Sequence, residues 1–393
     1  MTPAARVASA IGLLEDIVRS ARSGGAPADR ILAEWFRANR FAGSKDRRAI
    51  RELVYRAIRA CGPVPHSGRA AMLRLAEDDA SLAGLFDGSQ YGPAPLQAGE
   101  PVAEGGIAPR WLEERLAASG IADEDAAALL GRAPLDIRVN ALKADRATLE
   151  LPEQADTLPS VQGLRLPPGA PVEQWPAFRD GLIEVQDCGS QLACEAVAAR
   201  PGEVVIDLCA GAGGKTLALA AAMENRGTLI AADTDRQRLS RLAPRAERAG
   251  AVVAETILLN PGREAEALAP WMGRADAVLV DAPCSGTGTW RRNPEARWRL
   301  DEAGLARLTA LQARLLALAA DLVKPGGRLI HVTCSLLDEE GADQVKAFLA
   351  ARPGWQAATL DLPLGAQRGP GWRLSPLRDA CDGFFIARMD KPW

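Results

Sequence analysis

At 393 residues the chain is too long for one ordinary core and predicts two or three domains. It is 48% hydrophobic and 25% charged, which excludes a disordered protein, and its net charge of −3 means that any affinity for nucleic acid rests on local patches. Seven cysteines with no Cys-x-x-Cys pair, beside only His66 and His331, argue against a zinc site, a disulfide scaffold or a histidine base, so no metal is expected.

The first thirty residues hold only short apolar stretches, interrupted by Glu15, Asp16 and Arg19. Neither a signal peptide nor a membrane span is expected there, which predicts a soluble, cytoplasmic, monomeric protein with no membrane partner. Ile11, Leu14, Ile17 and Val18, then Ile31, Leu32, Trp35 and Phe36, then Ile50, Leu53, Val54 and Ile58 recur at helical spacing, so residues 1–75 read as an all-helical domain. Ser44 is placed to cap the last of these helices. Arg37, Arg40, Lys45, Arg47, Arg48, Arg51, Arg56 and Arg59 outweigh Asp46 and Glu52, and Arg291, Arg292, Arg297 and Arg299 outweigh Glu295. Each run alone reads as a solvated face; two of them, one just after a cysteine loop, point to a phosphate-rich partner.

Residues 76–110 are rich in proline and glycine and read as a linker. Residues 111–180 read as a small α+β unit, with Leu135–Asn140 alternating like a strand. From 181 to 393 strands are expected at 204–208, 228–232, 252–257, 277–281, 328–333 and 383–387. Helices are expected at 187–199, 214–223, 235–249, 301–323 and 338–351, an alternation that predicts a doubly wound parallel α/β sheet.

Three motifs fall at the carboxyl ends of expected strands, where open parallel sheets bind their ligands. The first is the loop Asp207-Leu208-Cys209-Ala210-Gly211-Ala212-Gly213-Gly214-Lys215-Thr216. Its end resembles a phosphate-binding Walker loop, but position 209 is cysteine where that loop needs glycine. Gly211 and Gly213 instead suit a nucleoside cofactor, and Asp233 closes the next strand where ribose hydroxyls need an acceptor. Close packing of helix on strand is the lesser alternative for such glycines, and the loop alone does not separate NAD from S-adenosylmethionine.

The other two motifs are Asp281-Ala282-Pro283-Cys284-Ser285-Gly286 and Thr333-Cys334-Ser335. Free cysteines are usually buried hydrophobes, and Cys61, Cys188, Cys194 and Cys381 are read that way; His331 reads as a core or edge histidine. Cys284 and Cys334 sit at strand-to-loop junctions instead. If the cofactor is S-adenosylmethionine, they fit methyl transfer to carbon 5 of cytosine. That carbon becomes nucleophilic only after a thiolate adds to carbon 6, and its proton must leave before the thiolate can. Asp281 can hold the ring's nitrogen edge, and Lys215 can favour a nearby thiolate.

Together with Gln186-Asp187-Cys188-Gly189-Ser190-Gln191 and Asp382-Gly383-Phe384-Phe385-Ile386-Ala387-Arg388, these motifs resemble the Sun family of RNA (cytosine-5) methyltransferases over residues 181–393. The resemblance implies a Rossmann-like class I methyltransferase domain and S-adenosylmethionine as cofactor, with Cys334 attacking the base and Cys284 assisting release. Cys209, Ala210, Gly211, Gly213, Lys215, Asp233 and Asp281 are then cofactor residues, and Asn260 takes the place of the family's usual adenine-side aspartate. Ser44–Tyr55 resembles the NusB-like domain of some members, and Leu135–Lys143 resembles their small RNA-recognition-like unit. That arrangement implies RNA as partner, contacted by Arg138, Asn140, Arg291, Arg292 and Arg297, with small-subunit rRNA as substrate. A tRNA substrate, and a non-catalytic ribosome assembly factor, are the alternatives.

Overall fold

A computed structural model describes Met1–Trp393 and separates the chain into two compact units. The first comprises residues 1–132 together with an excursion, residues 289–302. Its helices are α1 (Pro3–Ser23), α2 (Ala28–Ala38), α3 (Ser44–Ala60), α4 (Gly68–Asp78), α5 (Arg110–Ala118) and α6 (Asp123–Ala128). The expected apolar positions do form the core: Leu14, Ile17, Leu32, Phe36, Ile50, Val54 and Ile58 are all buried there. The Thr2 side chain caps α1 by accepting from the Ala5 N–H at 3.2 Å. Ser44 is not a cap, because α3 already includes it and Gly43 precedes the first turn.

Residues 76–110 do not behave as a free linker. The Ala103 N–H donates to the Ala70 carbonyl at 3.2 Å, the Gly62 N–H to the Glu104 carbonyl at 3.1 Å, and Arg69 pairs with Glu100. Phe86 and Ala103 join the helical core, so the segment is a strap across α4. Residues 111–132, expected in the α+β unit, also belong to the helical one.

The excursion completes this unit. Pro27, ahead of α2, offers no side-chain cap; the Glu295 carboxylate accepts from the Ala28 N–H at 2.9 Å instead, placing negative charge at the helix N-terminus. Arg297 is fully buried and donates to the carbonyls of Ile58 at 2.7 Å, Cys61 at 2.6 Å and Pro294. Trp298 packs into the core and donates to the Gly62 carbonyl at 3.1 Å.

The second unit, residues 133–288 and 303–393, contains two sheets. The smaller comprises β1 (Leu135–Val139), β2 (Asp156–Thr157), β3 (Gly163–Leu166) and β4 (Ile183–Val185), all antiparallel in the order β2-β3-β1-β4. Helix α7 (Cys188–Val197) leads into the Rossmann-like sheet. Its parallel strands are β5 (Val204–Asp207), β6 (Thr228–Asp233), β7 (Glu255–Leu258), β8 (Ala275–Asp281) and β9 (Val323–Thr333), in the order β9-β8-β5-β6-β7. Helices α8 (Gly214–Ala222), α9 (Leu242–Ala249) and α10 (Glu302–Leu322) lie between successive parallel strands, and α11 (Ala342–Ala351) follows β9. Strands β10 (Gln356–Ala358), β11 (Ala366–Arg368), β12 (Gly371–Leu374) and β13 (Phe384–Asp390) extend the sheet antiparallel beyond β9.

The six strands expected here are present, whereas β10, β11 and β12 are too short to stand out by periodicity. The expected helix 235–249 is broken into a turn at Arg236–Leu239 and α9. Helix α10 is long and apolar enough to cross a membrane, but Leu315, Leu316, Ala319 and Ala320 are buried in the main core of the sheet. Packing against that core accounts for its composition.

Arg297→Leu is expected to lower the melting temperature, because it strands three buried carbonyls at roughly 1–3 kcal/mol each. A thermal melt unchanged from the parent would show that the guanidinium does not hold the excursion in place.

Candidate active site

The sheet order reverses between β5 and β8, so the carboxyl ends of those strands flank the crevice where doubly wound folds bind ligands. Asp207 ends β5, Asp233 ends β6 and Asp281 ends β8. The glycine loop follows β5 and starts α8. Its residues Gly211 and Gly213 take φ of 55° and 87°, conformations that disfavour side chains. A Cβ on Gly213 would also lie 2.2 Å from Leu242 Cδ1, so this glycine admits α9 rather than a ligand. The Gly211 N–H donates to Asp233 Oδ2 at 2.7 Å, and Thr216 Oγ1 donates to Asp207 Oδ2 at 2.6 Å. Burial pushes the Asp207 carboxyl up to about 7, against the Thr216 hydrogen bond.

A cleft of about 640 Å³ opens above these strand ends. Cys209, Asp233, Asp281, Cys284 and Cys334 all line it. Ala210, Gly211, Gly213 and Lys215 lie outside its lining and build the loop beneath it. Asn260 is exposed and also outside the lining, while its neighbours Leu259 and Pro261 form the wall. The expectation for Asn260 is therefore corrected: this wall is apolar, suited to the flat face of a base. Burial and three nearby carboxylates push the Cys209 thiol up, which makes it a packing group.

Lys215 Nζ lies 2.6 Å from Asp281 Oδ2. Burial works against the ammonium, but the charge and hydrogen bond of Asp281 outweigh it and hold Lys215 above its ordinary range. The two cysteines expected to act together do meet: Cys284 Sγ and Cys334 Sγ are 3.4 Å apart. The hydrogen bond with Cys334, followed by burial, pushes the Cys284 thiol well up, so Cys284 keeps its proton.

A buried polar network, not foreseen from sequence, ties the two loops together. The Glu340 carboxylate accepts from the Ser285 N–H at 2.8 Å, from the Ser285 hydroxyl, and from Gln312 Nε2 at 3.0 Å. Ser335 Oγ lies 3.2 Å from Ser285 Oγ and 3.1 Å from Thr287 Oγ1. The Gly288 N–H donates to the Cys334 carbonyl at 3.0 Å, and the Gly383 N–H to the Gly288 carbonyl at 2.8 Å. The acidic run Asp338-Glu339-Glu340 was visible in sequence, but only the fold shows that Glu340 reaches the cysteine loop.

The expected RNA contacts fare differently. Arg138 and Asn140 are buried; Arg138 donates to the Gly214 carbonyl at 3.4 Å, and Asn140 Nδ2 to the carbonyls of Gly181 at 2.8 Å and Ala249 at 2.7 Å. Arg291 and Arg297 are also buried, Arg297 on the carbonyls described above, and Arg292 is half-buried. Burial withdraws Arg138, Asn140, Arg291 and Arg297 as surface contacts for RNA and makes them scaffold residues.

Residues 194–390 match the family model described as 16S rRNA methyltransferase RsmB/F. The ribosomal RNA small subunit methyltransferase B of Salmonella typhi is 39% identical over 230 residues, which covers 58% of this chain and 51% of that protein. The protein of the same name from Xanthomonas campestris is 36% identical over 295 residues, covering 72% and 66%. The chain thus spans about half to two thirds of the length of these relatives. The crystal structure of PH0851 matches with a TM-score of 0.77 and 26% identity, covering 100% of each chain.

His331, on β9, is fully buried, with Nε2 3.0 Å from the Glu340 carbonyl oxygen. Burial pushes its imidazole down to about 4, from 6.5 in an exposed histidine. The unfolded chain therefore binds a proton that the folded one refuses: stability is intact above pH ~6.5 and falls as pH drops toward 4, by on the order of 3 kcal/mol at full effect. His331→Gln is expected to flatten the melting temperature over that window. An equally steep acid limb in the variant would assign the sensitivity to other groups.

Proposed function

Because the chain belongs to the 16S rRNA methyltransferase RsmB/F family, we propose that it is an S-adenosylmethionine-dependent RNA (cytosine-5) methyltransferase acting on small-subunit rRNA. The observation that carries this reading is the 3.4 Å approach of the Cys284 and Cys334 sulfurs beside Asp281 in one cleft. A vestigial assembly factor would have no use for that pair.

The residues present fit the cofactor. Asp233 gives one oxygen to the Gly211 N–H and the other to the Asp235 N–H, each at 2.7 Å, which leaves lone pairs for ribose hydroxyls. Leu259 and Pro261 offer the apolar wall for adenine. When bound, the cofactor supplies an electrophilic methyl group.

The chain's own residues act on the base. The Cys334 thiol gives its proton to water in the cleft, its thiolate adds to carbon 6 of cytosine, and the ring double bond supplies the electron pair with which carbon 5 takes the methyl group. Asp281, fixed by Lys215, holds the nitrogen edge of the ring. Once the Cys334 sulfur is a thioether it no longer hydrogen-bonds Cys284 as before, and Cys284 gives up its proton to water in the cleft. The Cys284 thiolate so formed takes the carbon-5 proton, the electron pair of that carbon–hydrogen bond restores the ring double bond, and the carbon–sulfur bond breaks with Cys334 leaving as the thiolate.

The two thiols therefore fail at opposite ends of the cycle. Cys334→Ala is expected to abolish methylation and form no covalent RNA adduct. Cys284→Ala should accumulate a denaturation-resistant protein–RNA complex that the double variant loses. Adduct in Cys334→Ala would reverse the roles, and full activity in both would end cysteine catalysis. Asp233→Ala should weaken binding of S-adenosylhomocysteine by about 1–3 kcal/mol in calorimetry; unchanged affinity would remove Asp233 as the ribose acceptor.

A further inference from the structure

The sheet unit uses its conspicuous polar groups in the site or the scaffold. The helical unit leaves a set unused. Phe41, between α2 and α3, is 67% exposed, and Tyr91, on a turn of the strap, is 70% exposed. They are the two most exposed rings outside the C-terminal residue, and both line a single groove of about 660 Å³ floored by Ala5, Ala8 and Ser9 of α1. Phe41 is braced edge-on against Trp35, ring centroids 6.2 Å apart at 78°, and Trp35 stands edge-on to buried Phe36 at 5.4 Å. The exposed ring is thus held by a rigid neighbour.

On either side of Phe41 in the sequence, within ten residues of it, stand Arg37, Arg40, Lys45, Arg48 and Arg51, all exposed. None of the five pairs with a carboxylate, whereas Arg19, Arg30, Arg74 and Arg110 on the same unit are each matched to an acid one turn away. The nearby Asp46 is already held by Arg6 and the terminal amine. Lys45, Arg48 and Arg51 follow one another at three-residue spacing along α3, so successive charges are neighbours on the helix surface. Unneutralised cations beside exposed, braced rings match a polyanion that carries flat, stackable groups. An apolar protein segment would use the groove and leave the cations unsatisfied.

We propose that this groove and the adjoining end of α3 form a single-stranded RNA platform, with a base stacking on Phe41 and Tyr91 and phosphates on Arg40, Lys45 and Arg48. The proposal rests on the RNA-methyltransferase reading and assigns to the helical unit a surface of its own for the substrate. Ring stacking is tolerant of sequence, so the platform grips an unpaired strand without selecting the target base.

The test uses the full chain and a fluorescent, unstructured oligoribonucleotide of mixed sequence, titrated at several salt concentrations. Phe41→Ala with Tyr91→Ala is expected to weaken binding by about tenfold or more while leaving the salt slope unchanged, since stacking releases no counterions. Phe41→Tyr should keep the affinity. Arg40→Gln with Arg48→Gln should weaken binding and flatten the slope of log K against log salt by about 1.4 for two phosphates. Melting temperature and S-adenosylhomocysteine affinity should match the parent in every variant. Parental affinity and slope in both pairs, with the parent active on RNA, would overturn the platform alone. A parent that neither binds nor methylates RNA would overturn the catalytic reading with it. A ring variant that changes only the oligomeric state would show the groove to be a contact between copies, again against the proposal.

Discussion

The parallel pairing of β8 with β9 is the constraint on which the site depends. Its register sets Asp281 beside Val332, so the two chains leave the sheet together and turn into their cysteine loops at the same level. A slip of one residue would turn the side chains of one strand to the opposite face and part the sulfurs. Fifty residues of chain separate Cys284 from Cys334, yet the ladder and the Glu340 network hold them at 3.4 Å. The glycine loop, the acids at the strand ends and the cleft between them have meaning only around that fixed pair.

Polar groups buried around the pair divide into those that hold and those left for chemistry. Glu340 spends its oxygens on Ser285 and Gln312, and the hydroxyls of Ser335 and Thr287 complete a network with no access to the cleft lining. Such a network is costly if one partner is lost, because the remaining groups sit in a medium that cannot solvate them. Asp281 is different: it is partnered by Lys215 and still faces the cleft. The Glu340 carboxylate is committed to the scaffold, whereas the Asp281 carboxylate remains open to the reactive face.

Much of this was legible in the sequence, for local reasons. Val204–Asp207, Ala275–Asp281 and Val323–Thr333 are apolar runs that end in polar turns, and strand ends of a parallel sheet converge on one edge. Local pattern alone thus places Cys284 and Cys334 at one edge of the sheet. What was not legible depends on side-chain direction. Arg138, Asn140 and Arg297 have the chemistry of RNA contacts, and nothing local reveals that they are buried and turned toward the carbonyls of Gly214, Gly181 and Ile58. Residues 76–110 look like a linker because proline and glycine report local backbone, whereas their order comes from α4 beneath them. Asn260 stands where the resembled family usually has an aspartate, but the strand end presents its apolar neighbours to the cleft.

The excursion carries a consequence for how the molecule is made. Residues 289–302 supply a cap for α2, a buried arginine and a core tryptophan to a unit whose other residues all lie before position 133. On the ribosome the helices emerge long before those residues exist, so the N-terminal unit waits with an open seam at Ile58, Cys61 and Gly62 while β1 to β8 are synthesised. Domains usually fold as they leave the exit tunnel, N-terminal first. Here the helical unit, made ahead of the sheet unit, is closed only after the Cys284 loop has been synthesised. The helical unit reaches its final core in step with the active site, and a chain that stalls before Glu302 leaves both unfinished.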